Sequence, residues 1–367
     1  MRRVRVALEL AVVLVVAASC GSSGSSPGAP SQSQALPAPQ NFRIVLQRVL
    51  FTANEIQMSW SGTGSTFRLW AGTTSGGSDV LNVEVTGTSY TWEAPRTEAL
   101  YYLRVFGVQG TSLSAPSNDQ LAFTIDLRNV IDALFFRSGP MSDSAGSAAL
   151  DTLAGVWPDG TRLAVLVSND ATTTSQANAD IFVNDYASLL NGSVTATTSM
   201  TSDSFGDTWI VPGAGIRTIL PDFDIGIRVL SGFCGAVNVI ACTPYGPFPL
   251  GVNKSIVTMN ASAGAISVAH ELGHAYGLGH VHVNSSARPE LNFLMNPALV
   301  STQMTEPEKN AIAAAFAGGL KPGMRRSQAL ATGLVLPWAG QAATPGRLSI
   351  SSGPRGPVRC RIVDSGR

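Results

Sequence analysis

All four histidines of this 367-residue chain fall between His270 and His282, and three of them lie in one stretch, HELGHAYGLGH. If Ala265 to Tyr276 forms a helix, His270 and His274 stand one turn apart on one face, and both imidazoles can reach a single ion. Ala265, Ala269, Leu272 and Tyr276 then form an apolar stripe on the opposite face, predicted to pack against a sheet. Glu271 is rotated about 100° from His270 around the helix, beside the ion rather than on it. A carboxylate there can take a proton from a metal-activated water and pass it to a leaving amine. A helix running on past His274 would carry His280 away. Gly277 can adopt positive φ and turn the chain, so it is predicted to end the helix and let His280 return as a third ligand. Three neutral imidazoles leave the fourth tetrahedral position of a zinc ion open for water. His282 competes with His280 for the third place, but reads better as a rim residue.

The segments around this motif divide the chain. Residues 38–126 carry short alternating stretches separated by turn signals, such as EIQMSWSG with Ile56, Met58 and Trp60 on one face, and ALYYLRVFGVQG with Tyr101, Leu103 and Val105 on one face. That spacing predicts an all-β sandwich of about seven strands. From 128 to 320 the pattern is mixed α/β. TRLAVLVSND reads as a buried strand. Residues 176–192 read as a helix closed by Asn191-Gly192, and SIVTMN (255–260) reads as a strand just before the histidines. Thr305 and Glu308 form a capping box for a last helix. Residues 321–367 are rich in Gly, Pro, Arg and Ser, and read as a tail.

The N-terminus constrains location. Arg2, Arg3 and Arg5 precede a short apolar run and then small residues, which reads as a secretory signal over 1–19 and is too short for a membrane span. Cleavage after Ser19 by ordinary signal peptidase is one reading. The other is a bacterial lipobox, which AASC resembles; it implies acylation of Cys20 and a flexible tether over 20–37. The expected location is extracytoplasmic: a cell-surface or outer-membrane lipoprotein, or a secreted protein. Cys234 and Cys242, eight positions apart, read as a local disulfide in that oxidising compartment, with zinc ligation as the alternative. Cys360 is left over. With 24 basic and 24 acidic residues, nothing argues for a nucleic-acid partner.

Two resemblances follow from these residues. PAPQNFRI, Trp60, Tyr101 and Ser114 to Ser117 make residues 38–126 similar to a fibronectin type III domain, which implies a spacer or a binding module. His270, Glu271, His274, Gly277 and His280 match each defined position of the metzincin signature His-Glu-x-x-His-x-x-Gly-x-x-His. FLMNP supplies Met295, fifteen residues after His280, where the family carries its Met-turn. The chain looks most like the matrixin branch, and the likeness stops at Val281, where matrixins usually carry a small polar or acidic residue. The resemblance implies a multidomain chain: an all-β sandwich followed by an α/β metzincin-type domain with a mixed sheet. It also implies one catalytic Zn²⁺ held by His270, His274 and His280, Glu271 as general base, and a protein or peptide substrate lying along an edge strand, for which Ser255 to Asn260 is the candidate. The calcium and second-zinc ligands of matrixins are not identifiable in the sequence, and oligomeric state is not readable from it. The competing expectation is a surface adhesion protein, in which the fibronectin-like module is the main activity and the protease fold is secondary or inactive.

Overall fold

Residues that alternate between apolar and polar make strands with one wet and one dry face, and the N-terminal unit follows that rule. The computed structural model describes residues 36–96, 99–142, 151–171, 173–201, 224–229, 241–243, 255–259, 265–282, 293–297 and 301–337. The signal segment, Cys20 and the tether up to residue 35, Cys234 and Cys360 lie outside them. Eight strands form the sandwich: β1 (Gln40–Val49), β2 (Asn54–Ser61), β3 (Thr66–Gly72), β4 (Leu81–Thr86), β5 (Ser89–Ala94), β6 (Leu100–Gln109), β7 (Ser112–Leu113) and β8 (Gln120–Phe123). One sheet runs β1-β2-β5. The other runs β4-β3-β6-β7, with β8 also paired to β6, and all pairings are antiparallel. This is an all-β sandwich of fibronectin type III-like order. The predicted inward residues Ile56, Met58, Trp60, Tyr101, Leu103 and Val105 are buried between the sheets. Trp60 meets Phe42 and Phe67 edge-on, at ring-centroid distances of 6.2 and 5.6 Å. In the connection between β7 and β8, on either side of Pro116, side chains serve as acceptors: Ser114 Oγ accepts from Gly107 N and Ser117 Oγ from Val105 N, at 2.8 and 3.0 Å.

The second unit is built on a five-stranded sheet: β9 (Thr161–Val167), β10 (Val194–Met200), β11 (Ile225–Val229), β12 (Ala241–Cys242) and β13 (Ser255–Met259), in the order β10-β9-β11-β13-β12. The first four in that order run parallel; β12 is antiparallel to β13. The sheet is therefore mixed, as expected. Strand β13 is not an edge, contrary to the expectation for Ser255 to Asn260. It is flanked by β11 and β12, because the apolar run that made it look like a strand is what an interior parallel strand requires. Among the described residues β10 and β12 stand at the two ends of the sheet, and β12, with two residues, is too short to announce itself in sequence.

Helices α2 (Thr173–Leu189) and α3 (Ala265–Ala275) pack together through Phe182, Tyr186 and Tyr276, whose rings lie 4.7–6.1 Å apart. Chain reversal after α2 uses Asn191 and Gly192 at φ +50° and +77°. Helix α4 (Glu306–Ala317) follows Thr305, as the capping box predicted. The segment read as the start of a tail is folded through 337. Leu320, Met324, Ala329 on α5 (Arg326–Ala331), Leu334 and Val335 join the main core. Arg326 enters with them because Asp132 receives its guanidinium inside the protein, at 2.5–3.1 Å.

The two units are not beads on a string. Val49, Phe123 and Ile125 at the base of the sandwich belong to the same apolar cluster as the second unit. Between them run α1 (Leu127–Ile131), N-capped by Asp126, and a π-helical turn (Asp132–Phe136) ending at Arg137 with φ +51°.

Candidate metal centre

Three imidazoles converge at the end of α3. His270 and His274 come from consecutive turns. The helix then stops in a Schellman arrangement: Gly277 N donates to His274 O at 2.9 Å, Leu278 N donates to Gly273 O at 2.8 Å, and Gly277 takes φ +96°. This is the turn predicted for Gly277, and it returns His280 to the other two. The Nε2 atoms lie 3.1 Å (His270–His274), 3.2 Å (His274–His280) and 3.3 Å (His270–His280) apart. All three rings are buried.

The proton positions follow from the outer partners. His270 Nδ1 donates to Leu294 O, and His274 Nδ1 to Leu278 O, both at 2.7 Å. A neutral imidazole with its proton on Nδ1 turns a bare lone pair inward at Nε2. Burial, followed by the neighbouring His270 and His280, holds the His274 imidazole well below its ordinary pKa, so it stays neutral. His270 and His274 turn their Nε2 atoms toward each other at 3.1 Å, and with His280 they form a group that could hold a cation. Ligand bonds of about 2.0–2.1 Å at tetrahedral angles imply nitrogen separations of about 3.3 Å, so the donor set fits one ion of zinc's size. Among the described residues, this is the group of side chains that could hold a metal ion.

Glu271 sits beside this nest, fully buried, and neither carboxylate oxygen has a hydrogen-bond partner among the described residues. Burial pushes its carboxyl up to about 8; the Thr243 hydroxyl, just past β12, opposes the shift without reaching full hydrogen-bond geometry. A buried orphan carboxyl costs free energy unless something outside the chain meets it.

Met295 lies beneath α3. A Cβ on Gly273 would come within 2.3 Å of its Sδ, so the glycine inside the motif makes room for the sulfur. Val281 N donates to Met295 O at 2.9 Å, and its side chain is buried, which accounts for an apolar residue after the third histidine. His282 is exposed, with its ring edge-on to His280 at 5.9 Å, outside the nest. Only the backbone of Cys242 is described, on β12, so its pairing with Cys234 lies outside what these residues address.

Sequence reasoning missed Glu308. Expected only as a helix cap, it accepts from Leu294 N and Met295 N at 2.8 Å as well as from Thr305 N at 2.9 Å. It also missed Gly279, where a Cβ would meet Ala133 O at 2.5 Å.

No family model matches the chain, and no curated relative matches it. Among solved structures it is similar to the FN5 domain of Drosophila Lar, at 14% identity and TM-score 0.20, over 24% of this chain and 97% of that one. It is also similar to an Fn3-like protein from Clostridium thermocellum, at 19% and 0.20, over 24% and 92% of the two chains. The fn3 domain of human collagen alpha-1(XX) matches at 16% and 0.21, over 28% and 93%.

Proposed function

We propose that the protein is a zinc-dependent endopeptidase of the metzincin type, secreted or held at the cell surface by a lipid on Cys20. The observation that carries this reading is the convergence of three buried Nε2 atoms beside a carboxyl that has no hydrogen-bond partner among the described residues. His270, His274 and His280 would hold the ion. A bound zinc ion would supply a Lewis acid for the scissile carbonyl and lower the pKa of a water.

The chain's own groups account for the rest. Glu271 takes a proton from the attacking water, and its raised affinity for protons suits it to keep that proton until the amine leaves. Among the described residues neither of its oxygens has a full hydrogen-bond partner, which suits them to this role. Among the described residues β12 pairs on one side only, with β13, and an extended peptide could add as a further strand on its other side. The carbonyls of Leu294 and Leu278 hold the ligand rings in the tautomer that coordinates.

The test is Glu271→Gln in the purified protein with zinc supplied. Stoichiometric zinc should be retained, while casein cleavage falls by about 10²–10⁴-fold. Cleavage at the parent rate by this variant, or a parent protein that binds no zinc, overturns the reading.

A further inference from the structure

The metal ligands are held from outside by two elements, and both elements are gripped by the fibronectin-like sandwich. The first is the π-helical turn. Because that helix ends at Arg137 in the left-handed region, its last carbonyls have no partner within it. Leu134 O instead accepts from Gly279 N at 2.6 Å, and Phe136 O from Thr152 Oγ1 at 2.7 Å. Gly279 is the residue before the third histidine, and its lack of a side chain permits this approach. The Arg137 guanidinium also donates to Gly277 O at 3.3 Å. The second element is α4, whose Glu308 holds the turn that meets His270.

The sandwich reaches both. The buried amide of Asn54, at the start of β2, clamps the chain on its way to α1. Its Nδ2 donates to Ile125 O at 2.9 Å, and its Oδ1 accepts from Ile125 N at 3.2 Å. On the other side, Asn310 Nδ2 of α4 donates to Val49 O, the last residue of β1, at 2.8 Å. Around these three bonds, Val49, Phe123 and Ile125 share one core with Leu127, Val130 and Ile131.

We propose that the sandwich is a working part of the metal site: Asn54 and Asn310 are positioning residues that set the π-helical turn and α4, and through them His280 and His270. This rests on the reading of the three histidines as a metal site. It differs from the view of the sandwich as a spacer or a separate adhesion module, because coupling must then run both ways. Loosening the base of the sandwich weakens metal binding, and metal binding tightens the base.

The experiment uses the full protein and zinc alone. Zinc affinity is measured by competition with a chromophoric chelator, for the parent, for Asn54→Ala, for Asn310→Ala, and for Leu69→Val as a control. Leu69 is buried in the sandwich's own separate core, so its variant perturbs the sandwich without touching the base. The expected result is about a tenfold loss of zinc affinity in each asparagine variant, and a change of less than twofold in the control. In the parent, zinc should also slow hydrogen exchange at the Ile125 amide by about tenfold. A parent that binds no zinc removes the metal reading, and this proposal with it. A parent that binds zinc, with unchanged affinity in both asparagine variants and unchanged exchange at Ile125, overturns this proposal alone. A loss in the control equal to that in the asparagine variants also overturns it, since the effect would then be general destabilisation.

Discussion

The Met295 amide donates to Glu308 Oε1 at 2.8 Å, which ties the residue beneath the candidate metal site to the first turn of α4. Glu308 Oε2 takes Leu294 N and Thr305 N, and the Thr305 hydroxyl reaches it at 3.1 Å. The carbonyl of the same Leu294 accepts the Nδ1 proton of His270. One buried carboxylate thus fixes both the floor of the site and the orientation of a ligand ring.

Glu308→Gln tests that relationship. An amide has the same shape but only one acceptor oxygen, so its NH₂ must face backbone N–H donors. An unsatisfied buried donor costs about 1–3 kcal/mol, and loss of an outer partner of a ligating histidine typically costs 10–100-fold in metal affinity. Denaturant unfolding should show the first, and chelator competition the second. Parent-like zinc affinity in this variant would mean that the turn holds His270 without help from α4.

The same carboxyl predicts a pH dependence. Burial pushes Glu308 up to about 7, against the opposing hydrogen bonds from Met295, Thr305 and Leu294, whereas in the unfolded chain it titrates near 4.5. The folded protein thus binds this proton more tightly than the unfolded chain. The contribution to stability is complete below about pH 4.5 and is lost as pH rises through about 7. His274, held below its ordinary value, acts in the opposite sense: its contribution is lost as pH falls. The comparison must therefore be a difference. Between pH 5 and 8, metal-free parent protein should lose more stability than Glu308→Gln. Parallel melting profiles for the two would show that Glu308 does not change its protonation in this range.

Much of the site could be read because its chemistry is local. His270, His274, Gly277 and His280 lie within eleven residues, and helix geometry plus one positive φ brings their rings together. The sandwich was legible from its period of two. What could not be read depends on contacts distant in sequence. Glu308 looks like a cap because capping is what its neighbours in sequence reveal, while its partners Leu294 and Met295 lie in another segment. Gly279 is one glycine among many until the carbonyl of Ala133 is seen against it. The tail reading failed for residues 321–337 because α5 is six residues long, too short for a periodicity, and its placement is decided by Asp132 nearly two hundred positions away.

Gly273 and Met295 form a second testable pair. Adding a methyl at Gly273 overlaps the methionine sulfur, and overpacking of this kind costs about 1–3 kcal/mol. Removing the sulfur first should remove the clash. In a double-mutant cycle, Gly273→Ala should destabilise the parent, but should cost close to nothing in a Met295→Ala background. The expected coupling is about 0.5–3 kcal/mol. Additive effects would mean that the glycine serves the helix backbone rather than the sulfur.

The buried pair of Asp132 and Arg326 predicts that the segment after α4 is required for folding. Burial raises the Asp132 carboxyl, and Arg326 draws it back down through a hydrogen bond and its charge. Asp132→Asn leaves a guanidinium inside the protein, 5% exposed, without its counter-charge. Breaking such a pair from one side costs about 3–5 kcal/mol, whereas replacing both partners with apolar residues can be close to neutral. Asp132→Asn should therefore destabilise strongly, and the double change Asp132→Leu with Arg326→Met should recover most of the loss. Ending the chain at residue 320 removes Met324, Ala329, Leu334 and Val335 from the core along with Arg326. The truncated protein should unfold at lower denaturant than Asp132→Asn, because it loses apolar burial as well as the pair. The measurement is guanidinium unfolding of all three variants beside the parent. A truncated chain as stable as the parent would show that residues 321–337 rest on the domain without holding it.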